Sequence, residues 1–416
     1  MSSKSSSKAD PSSYLHAKTL KRSLEKDLET ENIEIVEINI SLGSKPGDNY
    51  TSTIYRVEVK YNQGNGKDKT TSLIVKSFPV SRAQLEIEEL GFIDKEVNVY
   101  NEILPRLQEL VGAEILAPRC YDIFIEPHRN IVFQDMKTLG FICADREAGL
   151  DELHLKFALK KIAKFHATSM ELLKRDPTIK ENYQRGLFNE KTVNSALFHA
   201  IFTTTFQLGS KMLMEMPGYE RFSAKLMKAC DNLGEITLKA VDSNPGKDVV
   251  VFNHGDLWVN NFLFKYNEDS KPIDVVFIDY QGSFCGSLGI DLNYLFASSA
   301  QLDLLKNKME LIGKYYYPTC VETLKAFNFE LIPSIYDVIE QVKQREMYSL
   351  ICLFGILPLI SMDKEESKTN SLAQFANKEI TEKKTLVGMS SKRFVESMKY
   401  TLVDMEETLD DALTPY

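Results

Sequence analysis

The sequence predicts an α+β chain in two lobes, a small antiparallel β-sheet lobe followed by a large, mainly helical one. Three observations carry this. Three strand patterns follow one another between residues 33 and 78 with no helix between them, which makes an antiparallel meander. From Asp151 onward helical periodicity dominates. Inside that helical half, a polar loop and a hairpin break the helices between residues 249 and 279.

Composition bounds the function. The chain has 416 residues, 43% hydrophobic and 26% charged, which suits a globular protein long enough for two lobes. The net charge is −9 and no basic run occurs, so nucleic acid is not an expected partner. Six cysteines (120, 143, 230, 285, 320 and 352) are scattered without a C-x-x-C pair, so no disulfide frame or zinc site is expected, and a reducing compartment fits. Met1 to Ser13 is Ser- and Lys-rich and does not read as a signal peptide. The longest apolar stretch, Tyr348 to Met362, is too short to span a membrane and contains Pro358, so it reads as a buried helix. A soluble, cytoplasmic chain without membrane attachment is expected.

Residues 1–12 have almost nothing to bury and are expected to be a disordered tail. Leu15, Leu20, Leu24 and Leu28 mark a helix over Tyr14 to Glu29. Strands are expected over Ile33 to Leu42 and Thr53 to Tyr61, each with period-two alternation, and, after a turn signal at residues 62–66, over Thr70 to Phe78, an apolar run. The loop between the first two, Gly43 to Ser52, contains Gly47, Asn49 and Tyr50. It reads either as a cover for nucleotide phosphates, offering backbone N–H groups, or as a plain hairpin loop. Lys76 lies inside the third strand, where lysine is depleted. It reads as a phosphate-binding lysine or as one that snorkels from a sheet face. Helical spacing over Arg82 to Leu107 places Glu96 near the inward stripe of Phe92, Val99, Tyr100 and Leu104. An inward Glu needs a partner, and Lys76 is the candidate; the other reading is a solvated face glutamate.

Strands over Asp122 to Glu126 and Asn130 to Gln134 lead into Asp135-Met136-Lys137-Thr138-Leu139-Gly140, a short linker of hinge character whose backbone could read a nucleobase. The lobe boundary is placed there, with residues 13–137 as the nucleotide-binding lobe and 138–416 as the helical lobe. The latter opens on a helix over Leu153 to Leu173 whose His166 reads as structural. Further helices are expected over Ser195 to Met214, over Phe222 to Val241 and beyond Ile290. This order matches a protein-kinase-like two-lobed fold.

The loop carries the chemistry. Val249 to Phe252 is an apolar strand ending in Asn253-His254-Gly255-Asp256, and Asn261 opens a hairpin whose second strand delivers Asp279. The spacing H-x-D-x-x-x-x-N is that of a phosphoryl-transfer loop: the Asp takes the proton of the attacking hydroxyl and the Asn holds Mg2+. Here these are Asp256 and Asn261, with Asp279 as the second metal ligand. His254 is expected to brace the loop and is carried with Asp256 as a candidate catalytic residue.

These motifs resemble the ecdysteroid kinase-like (CHK kinase-like) family, related to choline kinases and aminoglycoside phosphotransferases. The resemblance spans roughly residues 35 to 330. It rests on the segment 47–52, Val75-Lys76-Ser77-Phe78-Pro79, Phe92 with Glu96 and Tyr100, Lys164-Phe165-His166-Ala167, the loop 254–261 and Ile278-Asp279-Tyr280-Gln281. It implies ATP and Mg2+ as cofactors, Asp256 as base, Asn261 and Asp279 on the metal, and Lys76 on the phosphates with Glu96 as its partner. Asp291 matches a family Asp that steadies the loop; a helix-capping acid is the other reading. Family members usually carry Phe where this chain has Tyr280.

Two features argue against a protein substrate. Gly255 stands where protein kinases carry the arginine of H-R-D, and only a short segment separates Asp279 from Asp291, which leaves no room for a peptide-docking activation loop. A small-molecule alcohol is the expected acceptor, an ecdysteroid or another steroid or xenobiotic. A choline-type acceptor, a silent ligand-binding protein and a metal-dependent hydrolase are the competing readings.

Overall fold

In the computed structural model, residues 10–44, 52–64, 66–78, 88–244, 246–362 and 378–413 are described. The first lobe is a five-stranded antiparallel sheet of β1 (Ile33–Leu42), β2 (Thr53–Gln63), β3 (Lys69–Ser77), β4 (Cys120–Phe124) and β5 (Asn130–Gln134), ordered β1-β2-β3-β5-β4. The expected meander is the first three strands of this sheet. Alternation assigns its two faces. Tyr55, Val57, Val59 and Tyr61 of β2 join Leu73 and Val75 of β3 in a core covered by Leu20 and Leu24 of the N-terminal helix Ala17–Leu28. That helix is also fastened by charge, because the fully buried Asp122 carboxylate of β4 accepts from Arg22 Nε at 2.6 Å and from Lys26. The opposite face carries Ile54, Arg56, Ile74 and Lys76, the residues of the other parity.

Glu96 lies on the helix Phe92–Asn98, which runs on through a looser π-type turn into Leu104–Val111. This helical run is tied to the second lobe. Lys95 Nζ donates to the carbonyls of Arg185 and Gly186, and Arg106 pairs with Asp176 at 2.9 Å.

After the sheet the chain makes a short turn, Met136–Leu139, and enters β6 (Phe141–Cys143). β6 belongs to a three-stranded sheet with β8 (Phe262–Tyr266) and β9 (Pro272–Phe277), while β7 (Val250–Asn253) pairs with β10 (Phe284–Ser287). The two small sheets are the expected hairpin and its approach strand. Around them lie helices, of which Glu152–Arg175 is the longest. The fold is the two-lobed protein-kinase-like one.

Two expectations are refined. The helical pattern of residues 195–214 is broken into Ala196–Phe198, a π-type turn and Thr204–Met214. The apolar stretch 348–362 is not one helix; it divides at Ile356 into Glu346–Gly355 and Leu357–Ile360, with Pro358 in the first turn of the second, where its missing N–H costs nothing. Among the described residues no helix is long and apolar enough to cross a membrane. Tyr280–Gly282, β10 and the helix Gly289–Ser299 follow Asp279 at once, which fills the place of an activation loop.

Candidate active site

The loop after β7 is held from behind by one carboxylate. Asp291, fully buried in the first turn of Gly289–Ser299, accepts from the backbone N–H of His254 at 2.7 Å and of Gly255 at 2.8 Å. It also accepts from His166 Nε2 at 3.0 Å. Since a carboxylate only accepts, Nε2 carries the proton and Nδ1 is left to accept from the Tyr316 hydroxyl at 2.8 Å. His166 is thus structural, as its sequence context indicates, and its structural task is to orient Asp291.

His254 faces away from the cavity. Its Nε2 donates to the Ile278 carbonyl at 3.0 Å and its Nδ1 accepts from the Asp256 N–H at 3.3 Å. Burial lowers its pKa, so the ring is a neutral brace between the loop and the strand that carries Asp279. Gly255 has a structural reason. Its φ is +79°, and a Cβ there would sit 2.1 Å from the Gly282 carbonyl oxygen. The close approach of these two backbones leaves no space for a side chain, arginine included.

Asp256 is buried, and both carboxylate oxygens are held. Tyr294 Oη donates to Oδ1 at 2.6 Å, and Asn261 Nδ2 donates to Oδ2 at 3.2 Å and to the Asp256 carbonyl at 2.8 Å. Burial and then the charge of Asp279 push its carboxyl up to about 7, against hydrogen bonds from Tyr294, Gln281 and Asn261 that pull it down.

A second cluster faces it. Lys76 Nζ donates to both Glu96 oxygens at 2.8 Å and to Asp279 Oδ1 at 2.9 Å. Burial disfavours the ammonium, but Asp279 and Glu96 outweigh it and the Lys76 pKa is raised. One cation faces two anions, so the surplus negative charge falls on a carboxylate. Burial, with Asp279 adding to it, pushes Glu96 up to about 7 despite Lys76. Asp279 itself has left-handed backbone, φ 68° and ψ 67°, which costs about 1 kcal/mol for a residue other than Gly. That conformation turns the chain from β9 straight into the Tyr280–Gly282 turn.

Both clusters line one cavity of 1070 Å3. Its roof is the second face of the first sheet, with Lys76 opposite Ile54 and Ile74 opposite Arg56. Trp258, Tyr294, Ile356, Leu359 and Ile360 of the second lobe also line it. Asp135 and Met136 line it between the lobes. The Asp135 carboxylate is already engaged, by Arg56 Nε at 2.7 Å and Ser72 Oγ at 2.7 Å, so a ligand there meets its backbone. Gly47, Asn49 and Tyr50 lie outside the described residues.

A divalent cation fits the donor set. Asn261 Nδ2 is taken by Asp256, which leaves Oδ1, and Asp279 Oδ2 remains beside it in type: two hard oxygens suited to Mg2+. Among the described residues no three His, Cys, Asp or Glu side chains cluster into a self-sufficient metal cage. Mg2+ commonly binds through one or two carboxylates together with substrate phosphates.

The structure therefore brings together Lys76, Glu96, Asp256, Asn261 and Asp279, with Asp291 and His254 behind them. It adds Tyr294, Gln281 and Arg56, which sequence reasoning missed. Tyr294 stands in a helix buried on every side, where a tyrosine reads as core; its spacing of three from Asp291 was the available signal.

The microcompartment-associated aminopropanol kinase is a similar solved structure, at TM-score 0.31 and 12% identity, covering 96% of this chain and 100% of that one. The ADP-bound aminoglycoside phosphotransferase APH(2'')-Ib gives TM-score 0.30 and 13% identity, over 80% and 99%. The streptomycin–ATP complex of APH(2'')-IIa gives 0.29 and 14%, over 80% and 98%. With TM-scores this low these likenesses bear no weight here. Comparison with curated proteins gives no match. The sequence profile of the ecdysteroid kinase-like family matches residues 46–329, a span that includes the loop, its hairpin and the Lys76–Glu96 pair. The chain belongs to the ecdysteroid kinase-like family.

Proposed function

We propose that this protein is an ATP- and Mg2+-dependent kinase that transfers the γ-phosphate to an alcohol hydroxyl. The observation that carries the reading is the facing of two clusters across one cavity: a carboxylate with a raised pKa, and a buried Lys–Glu–Asp trio. Asp256 accepts the proton as the acceptor oxygen bonds to the γ-phosphorus. The bond from γ-phosphorus to the β,γ-bridging oxygen breaks and its electron pair leaves with ADP. Lys76, fixed by Glu96, holds the α- and β-phosphates. Asn261 and Asp279 would hold Mg2+, which when bound neutralises charge on the phosphates. Gly43 and Ser44 lead into the loop expected over the phosphates, and the turn at Asp135 and Met136 supplies backbone for the base.

The acceptor we favour is an ecdysteroid or another steroid or xenobiotic alcohol. Family membership supports this, and so does the apolar wall of Ile356, Leu359 and Ile360 beside Trp258. The test is phosphate transfer from ATP with Mg2+ to ecdysteroids, plant glycosides and choline, read by product mass. A phosphorylated sterol that disappears with Asp256→Asn is the expected result. Phosphocholine as the sole product would overturn the acceptor class, and a protein that neither binds nucleotide nor yields product would overturn the kinase reading.

A further inference from the structure

Tyr294 and Asp291 sit three residues apart on the helix Gly289–Ser299, hence on one face. Asp291 holds the backbone of the catalytic loop, through the N–H groups of His254 and Gly255. Tyr294 reaches the same loop one turn further on, and there it holds a side chain, the Oδ1 of Asp256, at 2.6 Å. The phenol ring is fully buried, and the ring of Tyr348 lies behind it with centroids 6.2 Å apart. Burial and the adjoining Asp256 charge raise its pKa well above the ordinary value, so the hydroxyl stays protonated and donates. Tyr294 also lines the cavity.

Without Tyr294 the Asp256 carboxylate keeps two amide donors, Asn261 on Oδ2 at 3.2 Å and Gln281, and loses its 2.6 Å bond on Oδ1. The carboxylate could then rotate about its own bonds, away from an incoming hydroxyl. With Tyr294 on one oxygen and Asn261 on the other, the plane of the carboxylate is fixed from two sides.

Resting on the kinase reading above, we infer that Tyr294 is a positioning residue for the reaction: its hydroxyl locks the carboxylate of Asp256 in the orientation that meets the acceptor hydroxyl. One helix thereby sets both the place of the loop and the direction of its base. The residue acts through Asp256 and need not touch the acceptor.

The test is steady-state kinetics of the full chain as wild type, Tyr294→Phe, Asp256→Asn and the double variant, with an alcohol that the wild type phosphorylates and with water as acceptor. Phenylalanine keeps the ring and removes only the hydroxyl. The expected result is a fall in kcat on the order of 10- to 100-fold for Tyr294→Phe. KM for ATP and for the alcohol should stay within about twofold, since orientation, and not binding, is what the hydroxyl supplies. On the Asp256→Asn background the same substitution should cost nothing further, because the group it orients is gone. An unchanged kcat overturns the inference. So does an equal loss on the Asp256→Asn background, or a raised KM for the alcohol with kcat retained, which would make Tyr294 a binding contact. Wild-type protein that transfers phosphate while Tyr294→Phe is unaffected sinks this inference alone. Wild-type protein that transfers none removes the kinase reading and this one with it.

Discussion

The two ends of the cavity are built on different physics. At the Lys76 end three charged groups meet, and the arrangement is held by attraction between an ammonium and two carboxylates drawn from β3, the helix Phe92–Asn98 and the end of β9. At the Asp256 end a single carboxylate is held by neutral donors, a phenol and two amides, while the backbone beneath it is held by contact and hydrogen bonds. The first end stores charge, and the second stores direction. Removing charge should therefore break the first, and adding volume should break the second.

The largest effect is expected from Lys76→Met. It leaves Glu96 and Asp279 facing each other without their cation. Loss of a partner from a buried pair costs about 3–5 kcal/mol, read by denaturant unfolding. The loss should be greater at pH 8 than at pH 6: Lys76 is what holds Glu96 down to about 7, so without it the carboxyl titrates higher and the variant goes on losing stability above pH 7, where the wild type has levelled off. Equal losses at both would mean the trio is not charge-limited.

Gly255→Ala probes the other end. The added methyl would lie 2.1 Å from the Gly282 carbonyl oxygen, so the loop must move. We expect kcat to fall on the order of 10²-fold, through displacement of Asp256. Wild-type kcat in this variant would show that the loop is not held by that backbone contact.

The third prediction separates activity from stability. In the proposed mechanism Asp256 must be ionised, so kcat/KM should rise with pH and level off above about 7, and not near the ordinary 3.8. Folding runs the other way. A carboxyl whose folded pKa lies above its unfolded value adds stability at low pH, and that contribution fades as pH rises through about 7. An acid limb near pH 4 would show that Asp256 lacks its burial in solution.

The smallest effect belongs to Tyr280. Its ring packs on His254 at 4.4 Å and Tyr100 at 5.6 Å, but its hydroxyl is buried without a hydrogen-bond partner among the described residues. Tyr280→Phe should raise stability by about 1 kcal/mol, and a lowered melting temperature would reveal an unseen partner. The Phe usual at this place in the family would suit the pocket.

Most of this arrangement was legible in the sequence because it rests on local signals. Period-two alternation marked β1 and β2, an apolar run after a Gly-rich turn marked β3, and a lysine out of place in that run marked Lys76. Three- and four-residue steps turned Glu96 inward. What escaped notice lacks local signals. Arg56 carries no local mark of a role; only the fold brings it to the Asp135 carboxylate, which Ser72 also bonds. Tyr294 is one aromatic among many in a helix buried all round, where periodicity cannot distinguish a functional face. The π-type turn at residues 199–203 has no mark in the periodicity, whereas the division at Ile356 lies two residues before Pro358, which was legible.

The composition has one practical consequence. The chain contains a single tryptophan, and it is Trp258, half-buried in the cavity wall two residues from Asp256. All indole emission from this protein therefore originates at the cavity wall two residues from Asp256. The molecule carries its own reporter, and a compound that settles against that wall announces itself by a change in fluorescence, with no label and no turnover.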